Sequence, residues 1–207
     1  MTRLWRDMRA ILASLLLLPV LAGCDRLPVA GSGPQVGDYR PEEAGTVDHA
    51  LCLLGFTGVP MRELASGHHI VDVTLNGRPG TFVLDTGANA TVIHAGYETD
   101  FGLAEGGRVG GAVGLGGAME ARQVGIDDFA IGPVPVRLRR IMVTDLGQIA
   151  TMLAPMAGGS VHGIVGQDAM KAHRAVIDVS RSLVHLIPED RDPAPVPAER
   201  CRTDASE

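Results

Sequence analysis

Residues 82–93 read Phe-Val-Leu-Asp-Thr-Gly-Ala-Asn-Ala-Thr-Val-Ile and set one acid, Asp85, between two apolar, β-prone runs. A carboxylate in that setting is costly to bury unless hydrogen-bond donors surround it. Thr86 and Gly87 can supply them, and Gly87 lets the chain turn sharply while its N–H approaches the acid with no side chain in the way. Asp, Thr and Gly also make ordinary turns, so the tripeptide alone decides little. Its frame decides more: three apolar residues precede it, and Thr91, Val92 and Ile93 resume a strand directly after it. Any fold adopted by this chain has to deliver Asp85 at the end of a strand.

The neighbouring sequence supplies such a strand. Residues 69–75 alternate apolar and polar in part, Asn76-Gly77 is a strong hairpin signal, and residues 81–84 return straight into Asp85. Residues 94–103 read as a short helix or turn. Residues 106–119 alternate Gly with Val, Ala and Leu, a low-complexity hairpin. The spacing argues against a nucleotide loop there, because Gly114-x-Gly116 meets Met119 where a third glycine belongs and no Gly-Lys-Ser/Thr follows. Residues 124–131 form a strand ending at Gly132-Pro133. Residues 134–143 read as one further strand, with Arg137, Arg139 and Arg140 partly on one solvated face. Residues 150–160, rich in Met, Ala and Gly, read as an irregular loop lining a cleft. Ile164-Val165-Gly166 then leads into a helix-compatible run, and residues 175–179 and 183–187 form a closing hairpin around Ser180-Arg181-Ser182.

The Leu-Asp-Thr-Gly-Ala turn followed by Thr-Val-Ile, with Ile164-Val165-Gly166 and a short helix after it, resembles the retropepsin-like aspartic protease family, in its single-domain bacterial form. The resemblance covers about residues 66–188. It implies an all-β acid-protease barrel with one short C-terminal helix, and an endopeptidase needing no metal or organic cofactor. It implies Asp85, Thr86 and Gly87 as the catalytic turn, Ala88 and Asn89 beside the substrate, and a flap whose tip is Val113, Gly114, Leu115, Gly116 and Gly117. Ile164, Val165 and Gly166 would pass beneath the turn. Acid-protease chemistry needs two carboxylates sharing a proton, and no second Asp-Thr-Gly is present: Asp145 precedes Leu-Gly and Asp168 precedes Ala-Met. The resemblance therefore implies a homodimer acting on peptide or protein substrates, with Thr86 bonding across the two-fold axis and an optimum below neutral pH. One departure stands out. Retroviral members often pair an acid two residues after the Gly with an Arg after the second motif; here the positions are Asn89 and Gln167, so an amide hydrogen bond, or none, is expected.

The ends of the chain have their own character. Arg3, Arg6 and Arg9 precede an apolar run, residues 11–18, too short to span a bilayer, and Leu21-Ala22-Gly23-Cys24 looks like a bacterial lipobox. Residues 1–23 are thus expected to be a lipoprotein signal, with Cys24 lipidated and the protein anchored to the bacterial envelope facing the periplasm. Asp25 resembles the residue that favours inner-membrane retention in enterobacterial lipoproteins. Residues 24–45 read as a flexible tether, 46–188 as the protease domain, and 189–207, rich in Pro and charge, as an unpacked tail. Cys52 and Cys201 remain as a pair that an oxidising periplasm would let bridge; spacing leaves a disulfide and two free thiols both open.

The formal charge is −6 at pH 7, and becomes −8 when residues 1–23, with three Arg and one Asp, are set aside. That balance argues against a nucleic-acid partner. Gly159-Ser160-Val161-His162-Gly163 lacks the spacing of a serine-hydrolase elbow, and there is no His-Glu-x-x-His. Each histidine reads as a surface or strand-end residue. The rival from another class is a monomeric peptide-binding or assembly module in which Asp85 is idle.

Overall fold

The computed structural model describes residues 47–104, 108–114, 117–188 and 192–201, with 108–114 and 117–119 described by backbone only. Cys24, Asp25, the expected signal and tether, and the flap-tip residues Leu115 and Gly116 lie outside the described residues. In chain order the elements are α1 (Val47–Leu53), β1 (Thr57–Pro60), β2 (Arg62–Glu63), β3 (His69–Leu75), β4 (Arg78–Leu84) and β5 (Val92–His94). There follow β6 (Arg108–Gly114), β7 (Gly117–Gly125), β8 (Phe129–Ile131), β9 (Val134–Pro135), β10 (Arg140–Thr144) and α2 (Gly147–Ala157). The chain continues through β11 (Gly163–Val165), α3 (Gln167–Ala172), β12 (Val176–Asp178) and β13 (Leu183–Leu186).

The architecture is mostly β, as expected: a curled ten-stranded sheet runs β6-β7-β10-β5-β11-β4-β3-β8-β9, with β2 beside β3, and β1-β13-β12 form a separate three-stranded sheet. Asn76 and Gly77 both adopt positive φ, 49° and 72°, as a tight two-residue hairpin between β3 and β4 requires. The central strands are apolar on both faces because the sheet is covered on both. Phe82 and Val165 enter a large core with Ile93, Phe129 and Ile141, while Val83 and Ile164 enter a second core with Leu146, Leu153 and Val161. Alternate side chains of a strand point to opposite faces, so one residue of slip would exchange the two cores.

The decisive feature is the strand order. The chain leaves β4, makes the Asp85 turn and enters β5, yet β4 and β5 are not neighbours. β11 lies between them, parallel to β4 (Val83 opposite Ile164) and antiparallel to β5 (Ile164 opposite Val92). The turn therefore arches over the end of β11. Gly163 is required by this crowding: a Cβ there would lie 2.3 Å from the Val92 carbonyl oxygen and 2.5 Å from the Phe82 ring.

Three expectations are corrected. Residues 134–143 are not one strand, since the chain leaves the sheet after Pro135 and rejoins it at Arg140. Residues 150–160 are not a loop: α2 occupies most of them, burying Ala150, Leu153 and Ala157 at i, i+3 and i+7 and stopping at Gly158 in the left-handed region. The sequence signal was obscured by Pro155 inside the helix and by the glycines after it. The C-terminal segment is not wholly unpacked either. Ala194 and Val196 donate their N–H groups to the Leu54 and Leu53 carbonyls, and Cys201 forms a disulfide with Cys52 across a Cα–Cα distance of 5.7 Å. Among the described residues, no helix is long and apolar enough to cross a membrane.

Candidate active site

Asp85 follows β4 directly and is partly buried. Its Oδ1 accepts the Gly87 N–H at 2.8 Å, and its carbonyl accepts the Ala88 N–H at 3.2 Å, closing a tight turn. A Cβ on residue 87 would come within 3.1 Å of that same oxygen, so glycine is what allows the N–H to approach the acid so closely. Thr86, Gly87 and Asn89 are exposed, and Ala88 is half-buried against the second core.

The segment 165–168 straps this turn from below. Val165 O accepts the Asp85 N–H at 3.1 Å, and the Gln167 N–H reaches the Ala88 carbonyl at 2.8 Å. The Gln167 side-chain amide donates to the Thr86 carbonyl at 2.6 Å. The Gln167 amide thus bonds the turn's backbone at Thr86 and not Asn89. Gly166 N–H donates to Thr91 Oγ1 at 3.2 Å, and a Cβ on Gly166 would lie 2.4 Å from Ala90 carbonyl atoms. Ile164, Val165 and Gly166 therefore lie beneath the turn. The flap region is an antiparallel hairpin pairing Val113 with Ala118 and Gly114 with Gly117.

Two residues of this arrangement escaped the sequence reading. Thr91 is fully buried, and both its N–H and its hydroxyl donate to Asp168, at 2.9 and 2.7 Å. Asp168 also accepts the Ala169 N–H at 2.8 Å. The available signal was an acid in the first turn of the helix after Ile164-Val165-Gly166, but nothing local pairs residues 77 positions apart.

Three histidines accept main-chain N–H groups. Nδ1 of His94 accepts the Leu146 N–H and Nδ1 of His162 accepts the Thr81 N–H, both at 3.0 Å. His173 Nε2 accepts the Arg137 N–H at 3.0 Å, and its Nδ1–H donates to the Ile187 carbonyl at 2.8 Å. His173 and His185 are buried in the core, contrary to the expectation of surface or strand-end positions: His173 meets the inward-turned backbone of Arg137 and Ile187, whereas Nδ1 of His185 lies 3.5 Å from the Asp48 carboxylate. Burial pushes the His162 imidazole below its ordinary value, opposed in part by the Asp100 carboxylate. A His whose folded value is lowered gives stability that is present above its unfolded value, about 6.5, and lost as pH falls through the folded value. Thermal melts from pH 7.5 down to 5 should show a falling midpoint, and His162→Asn, which keeps an acceptor near Nδ1 but cannot titrate, should flatten that slope. An unchanged slope would remove His162 from the account.

Residues 71–169 match a family model described as aspartyl protease. Among solved structures, the chain is similar to a retropepsin-like aspartic protease from Rickettsia conorii, at 16% identity and a TM-score of 0.46, covering 63% of this chain and 90% of that one. It is also similar to the EIAV protease complexed with the inhibitor HBY-793, at 20% identity and a TM-score of 0.38, covering 52% and 88%. No curated protein matches the chain.

Proposed function

We propose that this chain, whose residues 71–169 match the aspartyl protease model, is an aspartic endopeptidase whose working form is a homodimer carrying Asp85 twice. The observation that carries the reading is the Asp85 turn itself. It offers one carboxylate held by a backbone N–H, an exposed Thr86 and Gly87 beside it, and a single copy per chain. Two such turns meeting on a two-fold axis place two carboxylates that share one proton. The ionised Asp85 takes a proton from water as that water attacks the peptide carbonyl carbon, and the protonated Asp85 gives its proton to the carbonyl oxygen. The tetrahedral diol then collapses: one diol hydroxyl gives its proton to the ionised Asp85 carboxylate as the C–N bond breaks, and the amine leaves with the proton of the other Asp85, so the dyad again holds one proton. The exposed Thr86 bonds across that axis to its counterpart, and the paired strands β6 and β7 serve as the lid over a bound peptide.

The enzyme is anchored to the bacterial envelope by lipid on Cys24, faces the periplasm, and is retained at the inner membrane through Asp25. The Cys52–Cys201 disulfide supports this address, since it suits an oxidising compartment and leaves Cys24 as the remaining cysteine. One preparation tests both halves. The full chain, expressed in a bacterium fed labelled palmitate and purified in detergent, should carry label, sediment as a dimer and cleave a peptide library at mildly acidic pH. A monomer without cleavage would favour a peptide-binding module instead, and an unlabelled chain would remove the anchor.

A further inference from the structure

We propose that Thr91 and Asp168 are a positioning pair that aligns Asp85 through the peptide group joining Val165 to Gly166, an inference that rests on the protease reading above. That peptide faces two ways. Its carbonyl accepts the Asp85 N–H at 3.1 Å, and its N–H donates to Thr91 Oγ1 at 3.2 Å. Because a peptide group is planar and rigid, its two ends tilt together, and whatever holds the N–H also aims the carbonyl at Asp85.

The Thr91 hydroxyl has one hydrogen and it goes to Asp168 Oδ1 at 2.7 Å, which leaves a lone pair for Gly166. Asp168 fixes that direction. Its carboxylate receives three donors, the Thr91 N–H, the Thr91 hydroxyl and the Ala169 N–H, at 2.7–2.9 Å. An ionised carboxylate accepts all three, whereas an amide would turn an NH₂ group toward one of them. Thr91 is fully buried, so no water replaces a lost partner. Neither side can drift to compensate, since Gly166 already lies against the Ala90 backbone. The relay thus runs from Asp168 to Thr91, to the Val165–Gly166 peptide, to Asp85.

If the pair only braced the fold, removing it would lower stability and leave turnover per folded enzyme intact. A positioning pair instead governs kcat. In the full chain, assayed well below its melting temperature, Thr91→Val should lower kcat about a hundredfold with KM changed less than about twofold, the cost of a small misplacement of a reacting group. Thr91→Ser, which restores the hydroxyl, should remain within about threefold of the parent, and Thr91→Val with Asp168→Asn should fall no further than the worse single variant. Amide hydrogen exchange at Asp85 should quicken in Thr91→Val while Val59 and Val184 in the separate sheet stay unchanged. If Thr91→Val does not fold, Asp168→Asn carries the same measurements. Parental kcat in Thr91→Val, a loss confined to KM, an equally impaired Thr91→Ser, or equal exchange gains at Asp85 and Val59 would each overturn the proposal. Should the parent chain show no Asp85-dependent cleavage, the protease reading fails, and the exchange contrast still decides whether the pair holds Asp85.

Discussion

Asp85→Asn is expected to lower kcat/KM by about 10⁴-fold or more, because in the proposed homodimer one substitution removes both members of the shared-proton pair and general acid–base catalysis alone contributes about 10²–10⁴. The variant should keep its fold, since the carboxamide oxygen still accepts the Gly87 N–H that the Asp85 Oδ1 accepts at 2.8 Å. Its use goes beyond loss of function. Mixed in equal amounts with the parent and allowed to exchange subunits, the variant leaves about a quarter of the dimers with two native carboxylates. Activity should then follow the square of the parental fraction. A linear decline would mean that each chain cleaves alone, and an undiminished kcat/KM in the homogeneous variant would end the aspartyl mechanism.

Cys52→Ser is expected to lower the free energy of unfolding by about 3–5 kcal/mol, the second large effect. The bond closes a loop over a sequence separation of 149, for which chain entropy alone gives about 5 kcal/mol. What it secures is otherwise weakly held. α1 has only seven residues and buries none of them, too short to persist by its own hydrogen bonding, and the described C-terminal segment reaches it through the Ala194 and Val196 N–H groups. Urea unfolding of the parent with and without a reductant, beside Cys52→Ser, measures the effect. Reduced parent and variant should coincide. A loss under about 1 kcal/mol would mean that α1 and the C-terminal segment fray independently, with the β1–β13 pairing of Thr57 to Pro60 with Leu183 to Leu186 carrying the junction alone.

Much of the site was legible because its signals are local. The apolar run into Asp85, the glycine that lets an N–H meet the acid, the Asn76-Gly77 hairpin and the helix after Gly166 each follow from residues a few positions apart. The partly legible cases involve competing local signals. Residues 150–160 contain good helix formers, Ala, Met and Leu, together with Pro155 and two glycines, and burial of Leu153 against Leu146 and Ile164 settled the contest for helix. Residues 134–143 look like one strand by composition, but only residues 134–135 and 140–144 find ladder partners.

By itself the sequence determined where an acid meets a turn, which glycines the backbone needs there, and that one chain carries one Asp-Thr-Gly. The tertiary structure alone decided that β11 slides between β4 and β5, that Cys52 faces Cys201, and that Asp168 answers Thr91. The physical reason is range. Conformational preference and hydrophobic period act over a turn of helix or a pair of strands, whereas these contacts join residues about 75 to 149 positions apart. They arise only when strand order brings those residues face to face in a space with no water to take a partner's place.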